Sequence, residues 1–203
     1  MKTETEDILG YRVDRRGLED CVDDVIAWIK GDACRWLACL NPHSYVVALD
    51  DPAFAKALHE ADWLVPDGQG IVLASRLLGG AIRRRVTGSD IFAGVNRHLN
   101  DAGGRSVFFL GSTEETLAAI RARMAVDYPR VRVAGTWSPP FKPEYTAAEN
   151  EAMLAAINAA APDVLWVGMT APKQEKWLHA NRARLDVKFA AAVGGYSTSM
   201  PAG

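Results

Sequence analysis

Between Arg105 and Val193 the sequence alternates four times between a short apolar run and a longer stretch of helical spacing. Arg105–Leu110, Val131–Ala134, Asp163–Val167 and Val187–Val193 read as strands. The stretches between them, from Gly111 to about Asp127, Thr146 to Ala160 and Pro172 to Arg184, read as helices. The first is announced by a glycine turn, a hydroxyl cap at Ser112-Thr113 and two acids in the first turn. Trp137 to Glu144 holds three prolines and reads as a loop. A chain that repeats strand and helix in this way can bury both faces of its strands only as a parallel sheet with helices on each side. The predicted fold class is therefore α/β, a Rossmann-like, doubly wound and mostly parallel sheet.

The first half fits the same plan less regularly. Ile8 to Arg15 is expected to form a short first strand, and Gly17 to Lys30 has the apolar spacing of a helix. Trp36–Leu40 reads as a buried strand that Asn41-Pro42-His43-Ser44 stops, opening the next helix. Asp51-Pro52 opens another, and Trp63–Val65 is a second buried strand. Gly70 to Leu78 is apolar enough to be a buried helix. Ser89 is the expected cap of a helix that runs to Ala102 and ends at Gly103-Gly104.

The chain of 203 residues suits one large domain or two small lobes, and can bury a substantial core. We expect a single unit over 1–203, in which about 1–102 and about 103–195 form two halves. A formal net charge of -2 supplies no field that would recruit nucleic acid. Cys21, Cys34 and Cys39 lack zinc spacing and fit reduced thiols in a cytosol. Met1 to Asp7 is polar and acidic, unlike a signal peptide. The apolar runs are too short to span a bilayer, so any membrane contact is expected to be peripheral.

Chemistry concentrates between Trp63 and Asp90. Pro66-Asp67-Gly68 follows a strand, and Arg83-Arg84-Arg85, Thr87-Gly88 and Asp90 come soon after. Asn41 and Asp67 both follow the carboxyl ends of predicted strands, the edge at which open α/β sheets bind ligands. By composition alone Pro-Asp-Gly is also an ordinary turn, and the arginine run a solvated one. Gly168-Met-Thr170-Ala-Pro172-Lys173-Gln174 follows a strand and opens a helix, a setting that favours phosphate. Gly111-Ser112-Thr113 offers a second such turn. Neither is a Walker motif or a complete dinucleotide fingerprint. The four histidines are scattered without metal-ligand spacing, and there is no Asp-x-Asp. A transferase on this plan would stabilise a leaving diphosphate with Arg, Lys and backbone N–H groups. Cys39 reads as a buried strand residue rather than a nucleophile.

Asn41, Pro66-Asp67-Gly68-x-Gly70, Arg85-Val-Thr87-Gly88-x-Asp90, Phe109-Leu-Gly111 and Gly168-x-x-x-Pro172-Lys173-Gln174-Glu175 together resemble the WecG/TagA/CpsF glycosyltransferases of bacterial surface polysaccharides and teichoic-acid linkage units. The matches run in order from about Trp36 to Gly195. Asn41-Pro-His-Ser-Tyr45 also resembles the subgroup that adds glucose in xanthan-type exopolysaccharides. The resemblance implies an inverting, metal-independent transfer of a hexose from a UDP-sugar, with no cofactor. The implied acceptor is a sugar on a polyprenyl diphosphate at the cytoplasmic membrane face, and homo-oligomers are expected. Asp67 is the implied general base. Cys39, Asn41, Gln69, Arg85, Thr87, Asp90 and Gln174 are the implied substrate contacts, with Arg85 on a diphosphate. Gly111, Ser112, Trp137, Gly168, Pro172, Lys173 and Gly194 are the implied nucleotide contacts. No metal ligand is expected.

Two departures accompany the resemblance. Cys39-Leu40-Asn41 stands where the family often has Thr-x-Asn. After Gly195 the chain reads Tyr196 to Gly203 where a Phe-Asp segment and a basic, apolar appendage are expected, so a shortened C-terminus is a further expectation. The rival readings are a UDP-binding regulatory module without catalysis and a NAD-dependent oxidoreductase. The second is disfavoured by the missing glycine fingerprint and acidic partner.

Overall fold

The computed structural model describes residues 4–194. Gly195 and the Tyr196 to Gly203 departure lie outside the described residues.

A hairpin of β1 (Thr5–Ile8) and β2 (Tyr11–Asp14) comes first, followed by α1 (Leu18–Ile29), β3 (Arg35–Leu40), α2 (Pro42–Asp50), α3 (Pro52–His59) and β4 (Trp63–Pro66). Then come α4 (Gln69–Leu77), α5 (Gly88–Ala102), β5 (Ser106–Gly111), α6 (Glu114–Asp127) and β6 (Arg132–Trp137). The chain continues through α7 (Ala147–Ala160), β7 (Val164–Gly168), α8 (Lys173–Asn181) and a 3-10 turn (Arg182–Arg184) to β8 (Phe189–Ala192).

Among the described residues, six strands pair in the order β4-β3-β8-β7-β5-β6, all parallel. Both expected halves share this sheet, because β8 lies between β3 and β7. Successive side chains point to opposite faces of a strand. Trp36, Leu64, Phe108 and Leu165 enter one core with α2, α3, α4, α7 and α8. Leu37, Val65, Phe109 and Trp166 enter the other with α1, α5 and α6. Two covered faces explain why the strands read as unbroken apolar runs. The chain leaves β3 towards one edge and β5 towards the other, so the sheet has a crevice at its carboxyl edge.

Five details differ from the sequence reading. The expected strand from Ile8 to Arg15 is the second half of a two-stranded ribbon outside the main sheet. Leu9 and Gly10 both take positive φ, 53° and 91°, the two-residue turn that matches strand twist. Leucine there carries no turn signal, so the hairpin was hidden. The helix expected to be buried, α4, buries Ile71 and Val72 but exposes Leu73 and Leu77. The cap of α5 is Thr87, whose hydroxyl accepts from Asp90 N at 3.1 Å, so Ser89 lies inside the helix. Trp137 closes β6 rather than opening the loop. Helix α8 stops at Asn181, and residues 182–184 tighten to a 3-10 turn.

The hairpin braces the region that follows β4. Buried Asp14 accepts from Arg16 at 2.8 Å and from Trp63 Nε1 at 2.6 Å. Glu6 Oε2 accepts from Ala81 N at 2.6 Å, tethering the segment that carries the three arginines.

Candidate active site

The site is assembled from the residues that follow the strands. Asn41 follows β3 and caps α2 through a reciprocal pair. Its side-chain oxygen accepts from Ser44 N at 2.8 Å, and its own N–H donates to Ser44 Oγ at 2.8 Å. That cap decides which end of the amide is left over. The Nδ2 group faces Asp67 and donates to Oδ2 at 3.5 Å.

Asp67 follows β4. Its N–H donates to Leu40 O at 2.8 Å, which holds the residue beside Asn41. Val86 N donates to Pro66 O at 2.8 Å, which brings the arginine segment to the same edge. Burial raises the Asp67 carboxyl above its ordinary range. The Asn41 bond and the Arg85 charge oppose that rise, and the Asp90 charge adds to it. A carboxylate made more basic in this way, with an amide and a guanidinium beside it, suits a general base.

Thr87 and Asp90 close the capping box of α5, with Thr87 Oγ1 donating to Asp90 Oδ2 at 2.8 Å. Their polar groups are committed to each other, and Asp90 reaches the site through its charge. A Cβ on Gly88 would lie 3.1 Å from Val193 Cα, so the start of α5 presses directly on the end of β8. Gln69 is exposed on the first turn of α4.

Cys39 sits near the centre of this group. Its thiol donates to Ala192 O at 4.0 Å and feels the charges of Asp67, Glu175 and Asp90. Burial, reinforced by these acids, pushes the thiol well above its ordinary range, which disfavours the thiolate a nucleophile needs.

A second group lies around β5 and β7. A cavity of about 540 Å³ is lined by Ser112, Glu114, Ser138, Tyr145, Gly168 and Lys173, among others. Gly111 has φ 115°, and a Cβ there would lie 2.5 Å from Gly168 O, so the two turns approach this closely only with glycine at 111. Ser138 Oγ donates to Ser112 O at 2.7 Å. Lys173 Nζ donates to Lys142 O at 2.9 Å and lies over the rings of Phe141 and Tyr145. Pro172 caps α8, and the Ala171–Pro172 peptide is cis. Trp137 is half-buried against the adjoining core. Gly194, with φ 76°, follows β8 at the same edge.

The structure thus brings Cys39, Asn41, Asp67, Arg85 and Asp90 into one neighbourhood. Gly111, Ser112, Gly168 and Lys173 form another along the same edge. Gln174 is 4% exposed, and its Nε2 donates to Glu175 Oε1 at 2.8 Å. Among the described residues, Gln174 Oε1 and Glu175 Oε2 are buried without hydrogen-bond partners. Glu175, 3% exposed, was not among the candidate residues. Burial pushes its carboxyl up to about 7, against the Gln174 bond. Glu175 closes the Gly168-to-Glu175 motif of the resemblance, but an acid in the first turn of a helix reads by itself as a complement to the dipole, which is why it was given no role. Among the described residues, no three His, Cys, Asp or Glu side chains are grouped to hold a metal ion. Among the same residues, no helix is long and apolar enough to cross a membrane.

Comparison with known proteins places the chain in a family. The model of the glycosyl transferase WecG/TagA/CpsF family matches residues 6–199. An N-acetylglucosaminyldiphosphoundecaprenol N-acetyl-beta-D-mannosaminyltransferase of Bacillus spizizenii is 28% identical over 160 residues, covering 79% of this chain and 60% of its own length. Proteins of the same name from Staphylococcus aureus strains MRSA252 and NCTC 8325 are 26% identical over 193 residues, covering 93% of this chain and 72% of their own length. The match therefore spans about three fifths of the Bacillus relative.

Proposed function

This chain belongs to the glycosyl transferase WecG/TagA/CpsF family, and on that premise we propose that it transfers a hexose from a UDP-sugar to a sugar carried on a polyprenyl diphosphate, inverting the anomeric carbon. The names of its relatives describe transfer of N-acetylmannosamine to an N-acetylglucosaminyl diphospholipid. The reaction would take place at the cytoplasmic membrane face, in making an exopolysaccharide or cell-wall polymer.

One observation carries the reading. Asp67 is a half-buried carboxylate of raised basicity, held by Asn41 Nδ2 at 3.5 Å and beside the Arg85 charge. In the proposed step Asp67 takes the proton of the acceptor hydroxyl while that oxygen attacks the anomeric carbon. The bond from that carbon to the diphosphate oxygen breaks on the opposite face, and UDP leaves with the electron pair. Arg85 and backbone N–H groups of the strand-to-helix turns, rather than a metal ion, balance the departing charge. The nucleotide would occupy the cavity between Ser112 and Lys173. The acceptor would lie at Asn41, Asp67 and Gln69.

The test is Asp67→Asn. The folded variant is expected to lose activity by about a hundredfold or more, with UDP affinity unchanged in calorimetry with and without magnesium. A folded Asp67→Asn protein that turns over like the wild type would refute the assignment.

A further inference from the structure

Helices α2 and α4 follow neighbouring strands, and both begin at the site. Pro42, the first residue of α2, presses against Gly70 on the first turn of α4, where a Cβ would collide with the proline ring. From that contact an outward stripe runs along each helix. On α2 it is Pro42, Val46 and Leu49, at spacings of four and three. On α4 it is Gly70, Leu73 and Leu77, at spacings of three and four, extended by Leu78. These positions share a helix face. Val46, Leu49, Leu73 and Leu78 are 58%, 64%, 57% and 58% exposed, and Leu77 is 80% exposed. They make up five of the eight large exposed hydrophobic residues described. Exposed apolar side chains on two helices that meet at their first turns mark a contact with something else.

The charges beside it indicate what that is. Arg76 lies on α4, and Arg83, Arg84 and Arg85 lie on the segment that follows it. All four are exposed. Among the described residues, Arg76 and Arg84 have no ion-pair partner. Among the same residues, Arg83 bonds only to the carbonyls of Gly80 and Ile82. The single acidic residue within α2 or α4 is Asp50, at the end of α2 away from the site. Leucines in a cationic border match an anionic lipid surface, where aliphatic groups enter the interface and guanidinium groups meet phosphate. A second copy of this surface would bring like charges together instead.

We propose that the outer faces of α2 and α4, with Arg76, Arg83 and Arg84, dock this protein on an anionic phospholipid surface. The site then opens at the bilayer, because both stripes start beside Asn41 and Asp67. The biological purpose of the contact rests on the reading that the acceptor is lipid-linked. The contact itself does not.

The experiment is sedimentation of the full chain with vesicles of phosphatidylglycerol and phosphatidylcholine, and with phosphatidylcholine alone. Binding is expected only to the anionic vesicles, falling steeply with salt. The pairs Leu73→Ser with Leu77→Ser, and Arg76→Ser with Arg84→Ser, are each expected to weaken it at least tenfold at an unchanged melting temperature. The leucine pair should keep transfer to a short-chain, water-soluble acceptor and lose it to an acceptor embedded in vesicles. Failure of transfer to both acceptors in wild type would refute the functional reading and leave the vesicle result standing. The proposal is overturned if the wild type does not bind anionic vesicles, or if binding survives both pairs. It is equally overturned if the leucine pair abolishes a dimer seen in analytical ultracentrifugation while vesicle binding is absent or unchanged.

Discussion

Glu175→Gln should flatten the pH dependence of stability in a defined window. The wild-type carboxyl is 3% exposed and titrates near 7 in the fold, against an ordinary value of 4.5. Between those values the folded state keeps a proton that the unfolded chain releases. Raising the pH therefore favours unfolding, beginning near 4.5 and complete above about 7. At about 1.4 kcal/mol per unit, a rise from 4.5 to about 7 costs the wild type about 3 kcal/mol. Glutamine is neutral throughout and keeps an oxygen for the Gln174 amide to bond. Its extra N–H2 shifts the whole curve by a constant and leaves the slope alone. Glu60, Asp51, Glu149 and Glu151 are held below their ordinary values by cationic partners and act with the opposite sign. They are present in both proteins and cancel in the difference. Urea unfolding followed by fluorescence of the six tryptophans, at intervals from pH 4.5 to 8.5, measures that difference directly. The variant should gain about 3 kcal/mol on the wild type across the window. Parallel curves would refute the reasoning, because they would mean that Glu175 is already ionised in the folded protein at pH 5.

Other substitutions separate the parts of the site. Asn41→Ser keeps a good helix cap but is too short to reach Asp67. Stability in thermal unfolding should change by less than about 0.5 kcal/mol, while turnover falls about tenfold or more. Asp90→Asn removes a charge that raises Asp67. The acid limb of the rate profile should move to lower pH, and a move to higher pH would contradict the electrostatic account. Gly111→Ala places a Cβ 2.5 Å from Gly168 O at φ 115°. It should lower stability by more than about 2 kcal/mol and weaken UDP binding in calorimetry.

The fold was legible where one residue type has one physical use. Apolar runs bounded by Gly111 and Gly168 could only be buried strands, and Asn41-Pro42 and Asp51-Pro52 could hardly be anything but helix starts. The hairpin escaped because Leu9, at φ 53°, is not a turn residue. It holds that conformation because the ribbon is fixed from outside, by Asp14 on Trp63 and Glu6 on Ala81. The outward leucines of α4 escaped for a related reason. Hydrophobicity at helical spacing predicts an apolar face, but burial depends on whether another element arrives to cover it. Asp67 and Asn41 were legible as positions after strands, whereas their mutual contact depends on two strands pairing in one register.

The caps explain how the site tolerates its own electrostatics. An Asn amide can rotate, and either end could face Asp67. Because Asn41 Oδ1 is taken by Ser44 N, only the donor end remains, and a donor stabilises the charged form of the carboxylate. Asp90 is constrained in the same way. Its Oδ2 accepts from both the hydroxyl and the backbone N–H of Thr87, so its negative charge is fixed at the start of α5. One cap therefore lowers the basicity of Asp67 and the other raises it, and both are set by backbone N–H groups that the helices must satisfy in any case. Tuning of the base is thus tied to helix starts, and Asn41→Ser and Asp90→Asn should move the rate profile of Asp67 without unfolding either helix. A loss of α2 or α5 in hydrogen exchange, in either variant, would show that cap and site cannot be separated in this way.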